Sequence, residues 1–185
     1  MTDPSTERTW TRGFWLLLGG VTLLRLGYLL IFPYDLVGDE AYYWDWGRQL
    51  DWGYFSKPPM IAWLMALFDW LGGGTLEGLK LAPILFGIGT SCWLFFLARR
   101  LYGAKAAFWT VALMLASLGN VALNVLFTID APLLFCWTGA LYVLWRLIDH
   151  EQGAGRAWPW AVALVLLLGC GLLSKQMMLA FWGMA

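Results

Sequence analysis

What most restricts the fold of this chain is a succession of apolar runs, too long and too uniform for a water-soluble core. Six are read from the sequence, at about 14–32, 81–97, 106–122, 132–148, 158–173 and 177–185. The first holds nineteen residues, enough to cross roughly 30 Å of hydrocarbon as a helix. Only 13% of all residues are charged, where a soluble domain carries about a quarter. With 61% hydrophobic residues, fourteen Trp and a mean hydropathy of +0.65, the composition predicts an all-α, polytopic transmembrane helical bundle.

Charge placement sets the expected orientation. Arg8 and Arg12 precede the first run, and Arg99, Arg100 and Lys105 follow the second. Arg146, His150 and Arg156 lie around the loop between the fourth and fifth. Cytoplasmic loops are rich in Lys and Arg. The N-terminus is therefore expected in the cytoplasm, with loop 33–80 outside the membrane. Pro33 is expected to end the first helix. Within the loop, the apolar stretch 60–71 has only twelve residues and suits an in-plane or re-entrant segment. If it crossed the bilayer, the Arg99–Lys105 group would fall outside, against the charge rule. The first run is too long for an ordinary signal peptide and is read as a retained span. The last run stops part-way across. A helix ending inside hydrocarbon leaves carbonyls unsatisfied, so the natural chain is expected to continue.

Several function classes find no support. Net charge is zero and no basic run suggests a nucleic-acid partner. Cys92, Cys136 and Cys170 fall inside apolar runs, without metal-ligand spacing, and read as small buried hydrophobes. There is no GxGxxG, Walker loop, CxxC or HExxH, so neither a nucleotide nor a tight structural metal is indicated. His150 reads as a solvated loop residue.

The polar residues that need a reason concentrate in Asp35–Pro59, which holds five of the twelve acidic residues, two basic ones and seven aromatics. Gly38-Asp39-Glu40 can start a short juxtamembrane helix that Gly47 or Gly53 ends or bends. At about 100° per residue, Asp39, Tyr42, Tyr43, Trp46 and Leu50 share one face, and Glu40, Trp44, Arg48 and Asp51 another. In the expected topology Asp39, Glu40, Lys57, Asp130 and Lys175 all reach the outer membrane face. Charges there are costly unless paired or hydrated, so their convergence marks a candidate site. A carboxylate beside aromatic rings loses solvation and suits general-base work. The plainer reading has Asp39 capping a helix and Glu40 solvated. Lys57, held by Pro58-Pro59, is either an interfacial anchor or a clamp on an anionic lipid headgroup. Lys175 admits the same two readings. Asp130 is a helix cap or the ion-pair partner of one of those lysines. Arg25, inside the first run, either snorkels to the headgroups or partners a buried acid or a lipid phosphate.

Three stretches, GDEAYYWDWGRQLDWGYFSKPPMIAWL, TIDAPLLFCWTGALY and GLLSKQMM, resemble ordered landmarks of one family. They are similar to those of the bacterial dolichyl-phosphate-mannose–protein mannosyltransferase-like glycosyltransferases, of the GT-C class, which have the aminoarabinose lipid A transferases as relatives. The resemblance covers about 13–185 and corresponds to the N-terminal part of a usual member. It implies a polyprenyl-phosphate-linked sugar donor, a lipid, glycan or protein acceptor, and transfer at the outer face of the membrane. By this likeness Asp39 is the catalytic base, and Glu40 supports it or binds a cation. Lys57 and Lys175 hold the donor phosphate. Asp130 orients a lysine or the acceptor, and Tyr42, Tyr43 and Tyr54 line the sugar pocket. Some relatives carry an acidic residue just before the Lys-Pro, where a metal can bind. Here that position is Ser56, so no metal is assigned. Two other readings stand beside the enzyme: a flippase-like transporter of a lipid-linked anion, and a non-catalytic membrane subunit.

Overall fold

The computed structural model describes residues 4–32, 35–150 and 157–183. The expected helix stop at Pro33, the charge at Arg156, the side chain of His150 and the end of the last apolar run lie outside the described residues. Among the described residues there are helices and loops and no strand. The helices are α1 (Pro4–Ile31), α2 (Gly38–Gly47), α3 (Met60–Leu71), α4 (Leu76–Tyr102), α5 (Ala104–Ala116), α6 (Leu118–Leu123), α7 (Asp130–His150) and α8 (Trp158–Ser174), followed by a 3-10 helix, Gln176–Gly183.

Among the described residues, three helices are long and apolar enough to cross a membrane: Ser5–Ile31, Leu76–Tyr102 and Asp130–Asp149. Their outward faces are those of lipid-embedded elements. On α1, Leu16, Leu23, Leu24 and Leu30 are 71–77% exposed. A continuous apolar face of that kind is unfavourable in water and favourable in hydrocarbon. The protein is thus an all-α membrane bundle with short juxtamembrane helices, α2 and α3, between its first two long ones.

Local sequence explains where the helices begin and stop. Thr75 caps α4, its hydroxyl accepting from the Gly78 N–H at 3.2 Å. That extends the helix five residues ahead of the apolar run at 81–97 and brings Lys80 into its second turn. Gly103, at φ +85°, ends α4 in a conformation that glycine adopts without strain. The run expected as one helix at 106–122 is two. Ser117 stands in extended conformation between α5 and α6, and its hydroxyl accepts from the Asn120 N–H at 3.3 Å. Serine and asparagine offer the backbone such local alternatives to the helix. The run at 177–185 begins as a 3-10 helix rather than as a further α-helix.

Packing forms three apolar clusters. One joins Phe14 and Leu18 of α1 to Phe95 of α4 and Val111 of α5, with the Phe14 and Phe95 rings stacked at 3.9 Å. The second gathers Tyr43, Ile61, Met65, Leu79 and Phe127 under α2 and α3. The third joins α7, α8 and the 3-10 helix through Leu133, Ala140, Leu168, Met178 and Phe181. At one pole the start of α1, the end of α4, the start of α5 and the end of α7 carry Arg8, Arg12, Arg99, Arg100, Lys105 and Arg146. There Glu7 pairs with Arg99 at 3.1 Å and Arg100 with Asp149 at 3.5 Å. The opposite pole carries α2, α3, the start of α4, the start of α7 and the end of α8.

Candidate active site

The site is built around the first turn of α2. Glu40 is 1% exposed, and its carboxylate is fully engaged. Lys80 donates to Oε1 at 2.8 Å and to Oε2 at 2.6 Å. The Phe127 N–H donates to Oε1 at 2.7 Å and the Val37 N–H to Oε2 at 3.1 Å. A buried charge persists only when paired and hydrogen-bonded in this way. One carboxylate therefore fixes α2 to α4 and to the loop before α7. The solvated Glu40 of the plainer sequence reading is corrected. Both of its oxygens are occupied by hydrogen bonds from within the protein.

Asp39, one residue earlier and about 100° around the helix, points the other way. It is exposed and lines a cleft of about 390 Å³ with Gly38, Tyr42, Tyr43, Trp46, Ser56 and Lys57. The aromatic rings flank the carboxylate without shielding it, so the expected loss of solvation is corrected. Tyr43 is 4% exposed. Burial pushes its phenol above the ordinary value of 10.0, and the negative charges of Asp39 and then Asp130 push it further. The Tyr43 hydroxyl is therefore a neutral donor held within the field of both carboxylates.

Lys57 is placed by the turn it ends. Its carbonyl accepts from the Tyr54 N–H at 3.2 Å, and Pro58-Pro59 leads directly into α3. Tyr54 does not line the cleft. Its ring stacks on Trp46 at 4.7 Å, and its hydroxyl accepts from the Asp51 N–H at 3.0 Å and reaches the Gln49 carbonyl at 2.9 Å. It shapes the loop that presents Lys57. Trp44 ties α2 to the end of α3, donating to Asp69 at 3.1 Å. Gly47, at the end of α2, lies so close to α3 that an added Cβ would crowd the Ala62 carbonyl.

Lys175 and Asp130 meet separately. Asp130 opens α7 and Lys175 follows the last residue of α8, and the two antiparallel helices bring them to 2.6 Å. Of the two sequence readings of Asp130, the ion pair with a lysine is the one present. Lys175 is not among the residues lining the Asp39–Lys57 cleft. Among the described residues, no three His, Cys, Asp or Glu converge as a metal would need.

Three positions escaped the sequence reading. Lys80 left a signal, a lone charge just ahead of an apolar run, but nothing in the sequence named Glu40 as its partner. Asn120 and Asn124 left only their polarity. They are 8% and 3% exposed, and their side-chain oxygens accept from Arg25 at 3.0 and 2.8 Å.

The family model described as dolichyl-phosphate-mannose-protein mannosyltransferase matches residues 56–184. The lipid A galacturonosyltransferase of Rhizobium johnstonii is 34% identical over 158 residues, covering 85% of this chain and 32% of that protein. An undecaprenyl phosphate-alpha-4-amino-4-deoxy-L-arabinose arabinosyl transferase of Pseudomonas fluorescens is 31% identical, covering 66% of this chain and 21% of that protein. Its counterpart in Pseudomonas aeruginosa is 29% identical, with 66% and 22% covered. The chain thus spans about a third or less of the length of these relatives. No solved structure matches it significantly.

Proposed function

Because this chain belongs to the dolichyl-phosphate-mannose-protein mannosyltransferase family, we propose that it forms the acceptor-activating part of a membrane glycosyltransferase. The reaction moves a sugar from a polyprenyl phosphate to a hydroxyl. The relatives' names, which speak of undecaprenyl phosphate and of lipid A, favour an undecaprenyl-phosphate donor and a glycolipid acceptor. The observation that carries the reading is that Asp39 and Lys57 line one cleft, backed by the buried phenol of Tyr43.

In this reading the Asp39 carboxylate takes the proton of the acceptor hydroxyl as its oxygen attacks the sugar's anomeric carbon. The bond from that carbon to the phosphate oxygen breaks, and the electron pair leaves with the polyprenyl phosphate. Lys57 stabilises the charge that develops there. Tyr42 and Tyr43 border the sugar, Tyr43 as a neutral hydrogen-bond donor. Asp130 holds Lys175 ready for the donor phosphate. Glu40, through Lys80 and Phe127, sets the position of Asp39. The basic pole faces the cytoplasm and the cleft faces the periplasm, in line with the charge rule.

The test is a transfer assay on membranes carrying the gene's product, with radiolabelled polyprenyl-phosphate sugars. Label should pass into lipid with the wild-type protein and not with Asp39→Asn. Undiminished transfer by that variant would overturn the assignment of the base.

A further inference from the structure

Arg25 is a charge within the long apolar helix α1 to which the proposed reaction gives no role. It lies six residues before the end of α1, about 9 Å along the axis. A guanidinium has five N–H donors. Among the described residues two are taken, by the neutral amide oxygens of Asn124 at 2.8 Å and Asn120 at 3.0 Å. Among the described residues, no carboxylate lies within ion-pair distance of it. A cation at membrane depth is costly without a counter-charge.

The surroundings are built for it. The break at Ser117 turns what would be one helix into two and brings Asn120 and Asn124 to Arg25. Irregular backbone within a membrane is tolerated where it lines a cavity. Gly87 admits the Asn124 side chain, because an added Cβ there would overlap the amide. Arg25 and Asn124 form one wall of a groove of about 330 Å³, whose other walls include Val21, Leu24, Ile84, Leu115 and Val121. The rim at Leu24 and Val121 is 74% and 45% exposed, so the groove opens sideways. What lies against that rim in a membrane is the bilayer's own lipid. The groove shares no lining residue with the Asp39–Lys57 cleft.

We infer that this groove binds an anionic phospholipid of the surrounding bilayer, with its phosphate on the free donors of Arg25 and its chain along the apolar walls. Arg matches a phosphate in a two-pronged geometry, and the apolar walls account for a lipid rather than a free anion. The inference does not rest on the proposed reaction.

The test is native mass spectrometry of the purified chain with phosphatidylglycerol and phosphatidylethanolamine of matched chains. Phosphatidylglycerol should bind about fivefold better, the preference of one basic side chain at a membrane surface. Arg25→Gln should lose that preference. Asn124→Asp supplies Arg25 with an internal carboxylate, so it should retain the tie between α1 and α6 and abolish the preference. If Arg25→Gln does not fold, Asn124→Asp decides. Unchanged preference in either folded variant would overturn the inference. So would displacement of the lipid by inorganic phosphate at equal concentration, or a stronger hold on undecaprenyl phosphate. Failure of the proposed reaction would show instead in the Asp39→Asn transfer assay, which this site does not touch.

Discussion

Glu40 and Lys80 form an ion pair at 2.6 Å, with the side chains 1% and 0% exposed. Since Glu40 also takes the N–H groups of Val37 and Phe127, the pair is the knot that joins three segments beneath the cleft. Such a pair adds little net stability compared with a well-packed apolar substitute, but losing one member leaves a buried charge uncompensated.

Lys80→Met should therefore destabilise the bundle by about 3–5 kcal/mol. Thermal unfolding in detergent would read this as a clear drop in midpoint. Pairing Lys80→Met with Glu40→Gln should recover part of the loss. A Lys80→Met protein that melts with the wild type would show that the pair does not hold the site.

Asp39→Asn should reduce sugar transfer by about 10²–10⁴-fold, the usual reach of a positioned general base. Donor binding and the melting midpoint should stay unchanged, because Asp39 is exposed and, among the described residues, forms no ion pair with another element. Glu40→Gln should lower transfer and the midpoint together. That split would separate a group that meets the acceptor from one that places it.

Lys57→Ala should weaken binding of a polyprenyl phosphate. Hydrogen bonds to charged groups contribute about 1.5–3 kcal/mol, so the dissociation constant should rise on the order of tenfold to a hundredfold. Calorimetric titration in detergent would measure it, and unchanged affinity would remove Lys57 from the phosphate site.

Tyr43 gives a pH dependence with a definite sign. Its phenol titrates above 10.0 in the folded chain, because of burial and then the charges of Asp39 and Asp130. The unfolded chain thus loses this proton first. The group's contribution is fully present below the unfolded value and is lost as pH rises through the folded one. Melting midpoints taken from pH 8 to 11 should fall at the alkaline end, and Tyr43→Phe should flatten that fall. An identical alkaline limb in both proteins would argue against the environment described for this ring.

Gly87→Ala should disturb Asn124 and with it the tie to Arg25. Overfilling a packed contact costs about 1–3 kcal/mol, so the variant should melt earlier than the wild type. A neutral effect would show that the Asn124 amide can settle elsewhere.

The long helices and the short α3 were legible because hydropathy reports length directly, and lipid-facing residues leave no ambiguity about burial. Of the face assigned from helical periodicity, Asp39, Tyr42, Tyr43 and Trp46 line the cleft, whereas Leu50 lies beyond the end of α2 and outside it. Partner choice was not. Glu40 and Lys80 are forty residues apart, and no local pattern couples them. The split at Ser117 was hidden because hydropathy is blind to a hydroxyl that captures a backbone N–H. Tyr54 carried the same aromatic signal as its neighbours, yet its hydroxyl is occupied by backbone groups.

The bond from the Phe127 amide to Glu40 spans eighty-seven residues, and this has a consequence for biosynthesis. At translation speeds of about 5–20 residues per second, the segment bearing Asp39 leaves the ribosome on the order of ten seconds before its last support is made. In the later part of that interval Glu40 has Lys80 to pair with but not the Phe127 amide, and the arrival of the third segment completes its set of partners.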